Sequence, residues 1–231
     1  MIFFVKKVND FFFPDWDHHF IDYFKKTIEL RKPSKDYFNQ LIGYQEAHRY
    51  RALSKVKDFN VAIDCGAHVG LWARDLSNFF DKIYCFEPSR EHFECLKVNI
   101  TKENAILINK ALGKNKSKGK LHIPIGSENS GNAIIVKENY LIKCEKDKIV
   151  DIEIVPLDLF ELKKIDFFKI DVEGLGLNVL KGAIKTLKIC NPIICLELFD
   201  ERENKEQTNF LHKLGYKIVD IYKKDHIFMK T

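Results

Sequence analysis

Val61-Ala-Ile-Asp-Cys-Gly-Ala-His-Val-Gly70 is the stretch on which the reading of the fold turns. Small and apolar residues run into Asp64, and Gly66 and Gly70 then bracket a turn that leads into Leu71-Trp72-Ala73. An apolar run of this kind reads as a parallel strand buried on both faces. A glycine turn ahead of helix formers reads as strand, loop, helix. Gly66 has no Cβ to keep the backbone away from a ligand, and the unpaired N–H groups of the next helix would face that ligand. The turn gains weight from Lys82-Ile-Tyr-Cys-Phe-Glu-Pro88, a second strand that ends in an acid 21 residues beyond Gly66. In α/β proteins an acid at that spacing accepts hydrogen bonds from the hydroxyls of a ribose. The two stretches predict a nucleoside-cofactor site made of Asp64, Gly66, Ala67, His68, Gly70, Glu87 and Pro88.

The identity of that cofactor follows from what is missing. A dinucleotide site needs a further glycine so that pyrophosphate can reach the helix N-terminus. Here position 68 is His, and Asp64 stands two residues ahead of the first glycine. An acid in that place repels phosphate and suits a cationic amine or sulfonium. S-adenosylmethionine has a ribose, an amino group and a sulfonium, and no phosphate.

With 231 residues, the chain has the length of one α/β domain, with or without an appendage, and can bury a sizeable core. Of its six cysteines, Cys65, Cys85 and Cys195 sit in predicted strands and no C-x-x-C pair occurs, a pattern of reduced core thiols. The start, Met1-Ile-Phe-Phe-Val-Lys-Lys, lacks the pattern of a signal peptide, and no apolar run is long enough to span a membrane. The expected location is the cytoplasm. Net charge is +5, with Lys110, Lys114, Lys116, Lys118 and Lys120 close together. No aromatics interleave with these lysines, so they read as a solvated face, and nucleic acid is an unfavoured partner.

Working outward from the glycine turn, strands at 60–65, 82–87 and 105–109 alternate with helices at 70–80 and 89–103. That alternation predicts a parallel sheet with right-handed crossovers. Asn109 and Ala111 fall at the end of the third strand, where contacts to adenine are expected. Between 117 and 156 glycines separate short β-rich pieces, read as a β insertion beside the active-site edge. The alternation resumes with strand 165–171, helix 175–188, strand 192–198 and helix 201–214, and closes with an antiparallel pair at 216–222 and 225–230. Residues 1–59 differ from this methyl-donor-binding domain of 60–231. They are aromatic, with Phe20, Tyr23, Phe24 and Ile28 at helical spacing and a second helix expected after Pro33-Ser34. Such a stripe packs on its own domain or on a second copy of the chain, which makes a homodimer one expectation. Glu46, in the helix ahead of the first strand, is placed to reach the amino end of a cofactor.

Ile165-Asp-Phe-Phe-Lys-Ile-Asp-Val-Glu-Gly174 carries the chemistry. Asp171 stands at the carboxyl end of its strand, about 5 Å from the Asp64–Gly66 end if the two strands are neighbours. Glu173 follows two residues on, and Glu197 ends the next strand. Three carboxylates on one edge suit the deprotonation of a hydroxyl, with Asp171 and Glu173 as catalytic groups. They also suit a hard cation such as Mg2+ held by Asp171 and Glu197.

In these motifs, taken in order, the chain resembles the FkbM-type S-adenosylmethionine-dependent methyltransferases. The resemblance rests on Asp64-Cys-Gly-Ala-His-Val-Gly70, Phe86-Glu-Pro88, Leu96-x-x-Asn99, Ala111-Leu-Gly113 and Val155-Pro-Leu-Asp158. It continues in Lys169-Ile-Asp-Val-Glu-Gly174, Leu180-Lys-Gly-Ala183 and Pro192-Ile-Ile-Cys-Leu-Glu197. It implies a Rossmann-like class I methyltransferase fold, with a mostly parallel seven-stranded sheet and an antiparallel C-terminal strand. It also implies methyl transfer to the hydroxyl of a sugar, polyketide or other small metabolite. The family usually has Asn at the position of His68, and Glu at the position of Gly176. The second departure keeps a catalytically weak cofactor-binding module in view as the alternative, alongside a nucleic-acid methyltransferase.

Overall fold

A computed structural model of the chain describes residues 5–8, 11–22, 45–125, 130–136, 144–198 and 201–230. The centre is a seven-stranded sheet. Its strands are β3 (Val61–Cys65), β4 (Lys82–Phe86), β5 (Ala105–Ile108), β10 (Phe167–Ile170), β11 (Ile193–Glu197), β12 (Tyr216–Tyr222) and β13 (Asp225–Lys230). From one edge to the other the order is β5-β4-β3-β10-β11-β13-β12. The first five run parallel, and β13 is antiparallel to both β11 and β12. The glycine turn therefore sits at the middle of the sheet, with the second strand on one side and the Asp171 strand on the other.

Period-2 alternation sends successive strand residues to opposite faces, and each face is covered by helices. Ile63, Cys65, Phe168, Ile170 and Leu196 pack with Val179 and Leu180 of α5 (Gly176–Lys181), Leu187 of α6 (Ile184–Cys190) and Leu211 of α7 (Glu201–Lys213). On the other face Ala62, Ile83, Cys85, Phe167 and Cys195 meet Ala52 of α2 (Glu46–Leu53) and Leu76 of α3 (Ala73–Phe79). Leu96 of α4 (Arg90–Asn99) joins them there.

The expected β insertion is a four-stranded sheet of β6 (Ala111–Leu112), β7 (Ser117–Ile123), β8 (Ile134–Val136) and β9 (Lys148–Val155), in the order β6-β9-β7-β8. It touches the main domain's active edge through a bridge between Ile134 and Glu173. The lysine cluster falls on it, and Lys110 and Lys120 pair with Glu153 and Asp151 of β9.

Two expectations need correction. The aromatic N-terminal segment is helical only from the stretch after Asp15, where residues 18–22 form α1; ahead of it β1 (Val5–Val8) and β2 (Phe11–Pro14) form an antiparallel hairpin that the reading of a helical segment did not include. Phe11 and Phe13 alternate with Phe12 on a strand, so the 3.6-residue pattern begins only after Pro14. Val8, Phe11, Phe13, Phe20 and Ile21 pack on Val69, Leu71 and Cys95 of the main domain. The second helix predicted after Pro33-Ser34 lies outside the described residues. The other correction is helix 175–188, which is two helices, α5 and α6, broken at Gly182–Ala183.

Candidate active site

A cavity opens at the carboxyl ends of β3, β4 and β10, roofed by the insertion and flanked by the N-terminal segment. The chain makes it from a close approach. Gly66 has φ +80°, and a Cβ there would lie 2.0 Å from the carbonyl oxygen of Asp171. Only glycine fits. The N–H groups of Gly66 and Ala67 both donate to the Phe86 carbonyl at 3.0 Å, so the turn is also tied to the end of β4. His68 follows with φ 51°, in the left-handed region, and its N–H donates to Glu87 Oε2 at 2.8 Å.

Glu87 is buried, yet it lines the cavity. Its other oxygen accepts from the Ser89 N–H at 2.7 Å. Each carboxylate oxygen has about two acceptor directions, so both retain one for a pair of hydroxyls. Burial pushes the Glu87 carboxyl up, against the charge of His92 and the two N–H donors. Asn109 holds this corner by donating to the carbonyls of Glu87 and Pro88.

Across the turn the dominant group is Lys169, which sequence reasoning passed over. Register places Lys169 directly beside Asp64 on the neighbouring strand, and both side chains project to the same face. Its ammonium lies 3.1 Å from Asp64 and 3.3 Å from Asp171, and donates to the Gly66 carbonyl at 3.0 Å. All three of its donors are thereby placed, with the Trp72 ring 5.7 Å away. Burial alone would lower its pKa, but Asp171 and Asp64 outweigh that and hold it above the usual range. The signal was in the sequence: a lysine in Phe167-Phe-Lys-Ile170, a strand buried throughout, needs carboxylates as neighbours.

Asp171 and Glu197 share a hydrogen bond and one proton. Burial and the Asp171 charge push Glu197 up to about 10. Burial also opposes ionised Asp171, but Lys169 and the bond from Glu197 prevail and keep its carboxyl below the usual range. The arrangement is Lys169 cation, Asp171 anion, neutral Glu197.

Of the residues expected to meet a cofactor, Gly66, Ala67, His68, Glu87, Pro88 and Ala111 line the cavity. Asp64, Gly70 and Asn109 lie off it. Asp64 is fully buried and acts through Lys169; Gly70, with φ +98°, closes the turn against Leu96 and Ile100; Asn109 braces Glu87. Asp171, Glu173 and Glu197 line the same cavity. Glu46 has no described side chain. His92, Ser130 and Phe20 also line the cavity and were not read as site residues, because a fold is needed to bring α4, the insertion and the N-terminal segment to this edge.

At Gly176, where the resemblance implies Glu, a Cβ would lie 2.3 Å from Gln207 Oε1. Gln207 of α7 is buried and fills the space that a side chain at 176 would enter.

A parallel sheet with the strand order given above, and an acid-lined cavity where its first, second and fourth strands end, defines a Rossmann-like protein of the class I methyltransferase type. Residues 64–218 match the family described as the methyltransferase FkbM domain, and the chain belongs to that family. Among solved structures, the methyltransferase FkbM from Methylobacillus flagellatus KT is similar at 15% identity and a TM-score of 0.49, over 93% of this chain. This chain spans 60% of that one. The precorrin-6y C5,15-methyltransferase from Geobacter metallireducens GS-15 is similar at 15% identity and a TM-score of 0.48, over 88% of this chain and 95% of its own. A Streptococcus mutans protein in complex with SAH is similar at 14% identity and 0.48, over 80% and 96%. No curated protein matches the chain.

Proposed function

We propose that the protein transfers a methyl group from S-adenosylmethionine to a hydroxyl oxygen of a small metabolite, with a sugar or polyketide as the substrate class. The observation that carries this reading is Glu87: a carboxylate fixed by two backbone N–H groups, lining the cavity, with acceptor capacity left for vicinal hydroxyls. Charge supports it. The carboxyl groups of Glu87, Asp171 and Glu173 line the cavity, a lining that suits a cationic ligand and disfavours phosphate. When bound, the cofactor supplies an activated methyl on its sulfonium. The residues of the chain then supply alignment: Gly66 permits close approach, Glu87 orients the ribose, and Asp171 and Glu173 face the acceptor.

Asp171 is fit to accept a hydrogen bond from the acceptor hydroxyl and hold it in line. Its low pKa makes it a weaker general base than the edge of three acids suggested, since a base works best with a pKa near the working pH. Magnesium at Asp171 and Glu197 has a competitor within the chain, because the Lys169 ammonium already stands where such an ion would be attracted and Glu197 holds a proton. We therefore assign the acceptor chemistry to these residues without magnesium. A nucleic-acid acceptor is less favoured, because two of the clustered lysines are paired across the insertion. The described N-terminal aromatics are covered by their own domain, so a homodimer is not needed to bury them. No described helix is long and apolar enough to cross a membrane.

The test separates binding from turnover. In calorimetry with S-adenosylhomocysteine, Glu87→Ala should weaken affinity at least about tenfold, since hydrogen bonds to charged groups contribute roughly 1.5–3 kcal/mol. Asp171→Asn should bind nearly as well as wild type but lose about 10²-fold or more in methyl transfer to a hydroxyl acceptor. Unchanged affinity in Glu87→Ala sinks the ribose assignment, and full turnover in Asp171→Asn sinks the acceptor assignment.

A further inference from the structure

Beside the ribose corner lies a second constellation that methyl transfer does not use. Asp17 comes from the N-terminal segment, His68 from the glycine turn, and His92 from α4. Among the described residues these three form a group whose ligand atoms all lie within 4.8 Å of one another. Asp17 Oδ2 is 3.8 Å from Nε2 of His68 and 3.8 Å from Nε2 of His92. The Asp17 and His92 side chains are each 1% exposed. The His92 Nε2 atom is buried with no hydrogen-bond partner, an expensive state for a ring nitrogen unless something else occupies it. We propose that Asp17, His68 and His92 form a three-ligand site for a first-row divalent transition ion of the zinc class, with the remaining coordination position opening on the cavity.

The donor set and its surroundings support this. Bonds of about 2.0–2.2 Å set neighbouring ligand atoms roughly 3–3.5 Å apart, so side-chain shifts of under about 1 Å bring the three together. Two imidazoles and one carboxylate favour zinc, iron, cobalt or nickel, whereas magnesium and calcium want oxygen alone. The outer partners are also in place. His92 Nδ1 is 2.8 Å from Ser89 Oγ, which fixes the ring with its other nitrogen toward Asp17. Ser130 Oγ donates to Asp17 Oδ2 at 2.7 Å and lies 2.9 Å from His68 Nε2. On ion binding it would give up His68 and keep Asp17. The two rings lie 4.1 Å apart at their centroids, which keeps their nitrogens close to the same point. His68, His92 and Ser130 all line the cavity, so a ligand oxygen entering there could complete the coordination. The ion would clamp the N-terminal segment to the wall of the cavity, whichever acceptor the enzyme uses.

The experiment uses the full chain, stripped of metal by chelator and dialysed. Titration with Co2+, followed by its visible absorption, should show saturation at one equivalent. Zn2+ should displace the Co2+ and raise the melting temperature, while Mg2+ does neither. Asp17→Asn and His92→Asn should each weaken Co2+ binding by at least about 100-fold, since even outer-shell changes cost about 10–100-fold. His68→Asn guards against misfolding, because Asn tolerates the left-handed backbone at that position. It should fold with unchanged circular dichroism and lose the ion. His122→Asn, at a separate His–Asp pair on the insertion, should bind Co2+ like wild type. No saturation at one equivalent overturns the proposal. So does wild-type affinity in folded His68→Asn and His92→Asn, which would leave the cluster a buried hydrogen-bonded ion pair.

Discussion

Glu197 keeps a proton because Asp171, beside it, has given one up. Lys169 decides which of the two is ionised, since it reaches Asp171 and the partner strand's Asp64 but not Glu197. The consequence for stability has a definite sign. Unfolded, Glu197 releases its proton near its ordinary 4.5; folded, it holds it to about 10. Between these values the folded state binds a proton that the unfolded state lacks, so stability falls as pH rises. Glu197→Gln keeps a donor toward Asp171 and removes the titration. Its melting temperature should therefore gain on wild type steadily from about pH 5 to about pH 9. Parallel curves over that interval would show that Glu197 is ionised in the folded protein.

At the scale of elements, several motif residues that look like chemistry are joints. Gly182 packs so tightly that a Cβ would lie 1.9 Å from the Gly113 carbonyl oxygen, and the predicted single helix divides here into α5 and α6. Asp158 then starts the second piece, accepting from the N–H groups of Lys185 and Thr186 and from the Thr186 hydroxyl. Asp158→Ala should cost about 1–2 kcal/mol in chemical denaturation, the range for a lost helix cap, with S-adenosylhomocysteine affinity unchanged. A loss of affinity would move Asp158 into the site. The alternating strands and helices were legible in the sequence because burial on both faces of a parallel strand leaves an unbroken apolar run, and the glycine turn marks where the ligand edge lies. Spacing alone pointed to Glu87, and the fold places that acid on the cavity wall. Lys169, His92 and Asp17 were not, since their meaning depends on register and on a chain reversal that local periodicity does not encode. The hairpin was hidden because Phe11-Phe-Phe13 fits a helix stripe or a strand equally well until Pro14 is weighed.

Across the whole molecule, one side chain ties the N-terminal hairpin to α4 and to the glycine turn. Asn99, at the end of α4, accepts from the Phe12 N–H and donates to the carbonyls of Phe12 and Val69. Asn99→Ala removes all three bonds and leaves partly buried backbone groups unpaired. At about 0.5–1.5 kcal/mol each, the loss should come to roughly 2–3 kcal/mol. Limited proteolysis should then cut ahead of residue 45 faster than in wild type, with the main domain intact. An unchanged cleavage rate would mean that apolar packing alone secures the segment.

That same bond carries a consequence for biosynthesis. Phe12 leaves the ribosome 87 residues ahead of Asn99, the side chain that receives it. A two-stranded hairpin is at best marginal by itself in water. Throughout that interval its phenylalanines have no finished surface to rest on, and a stretch made before α4 can settle only after α4 has been made. During translation this stretch is a natural client for a chaperone, and slowing elongation before codon 99 should lengthen its exposure in proportion.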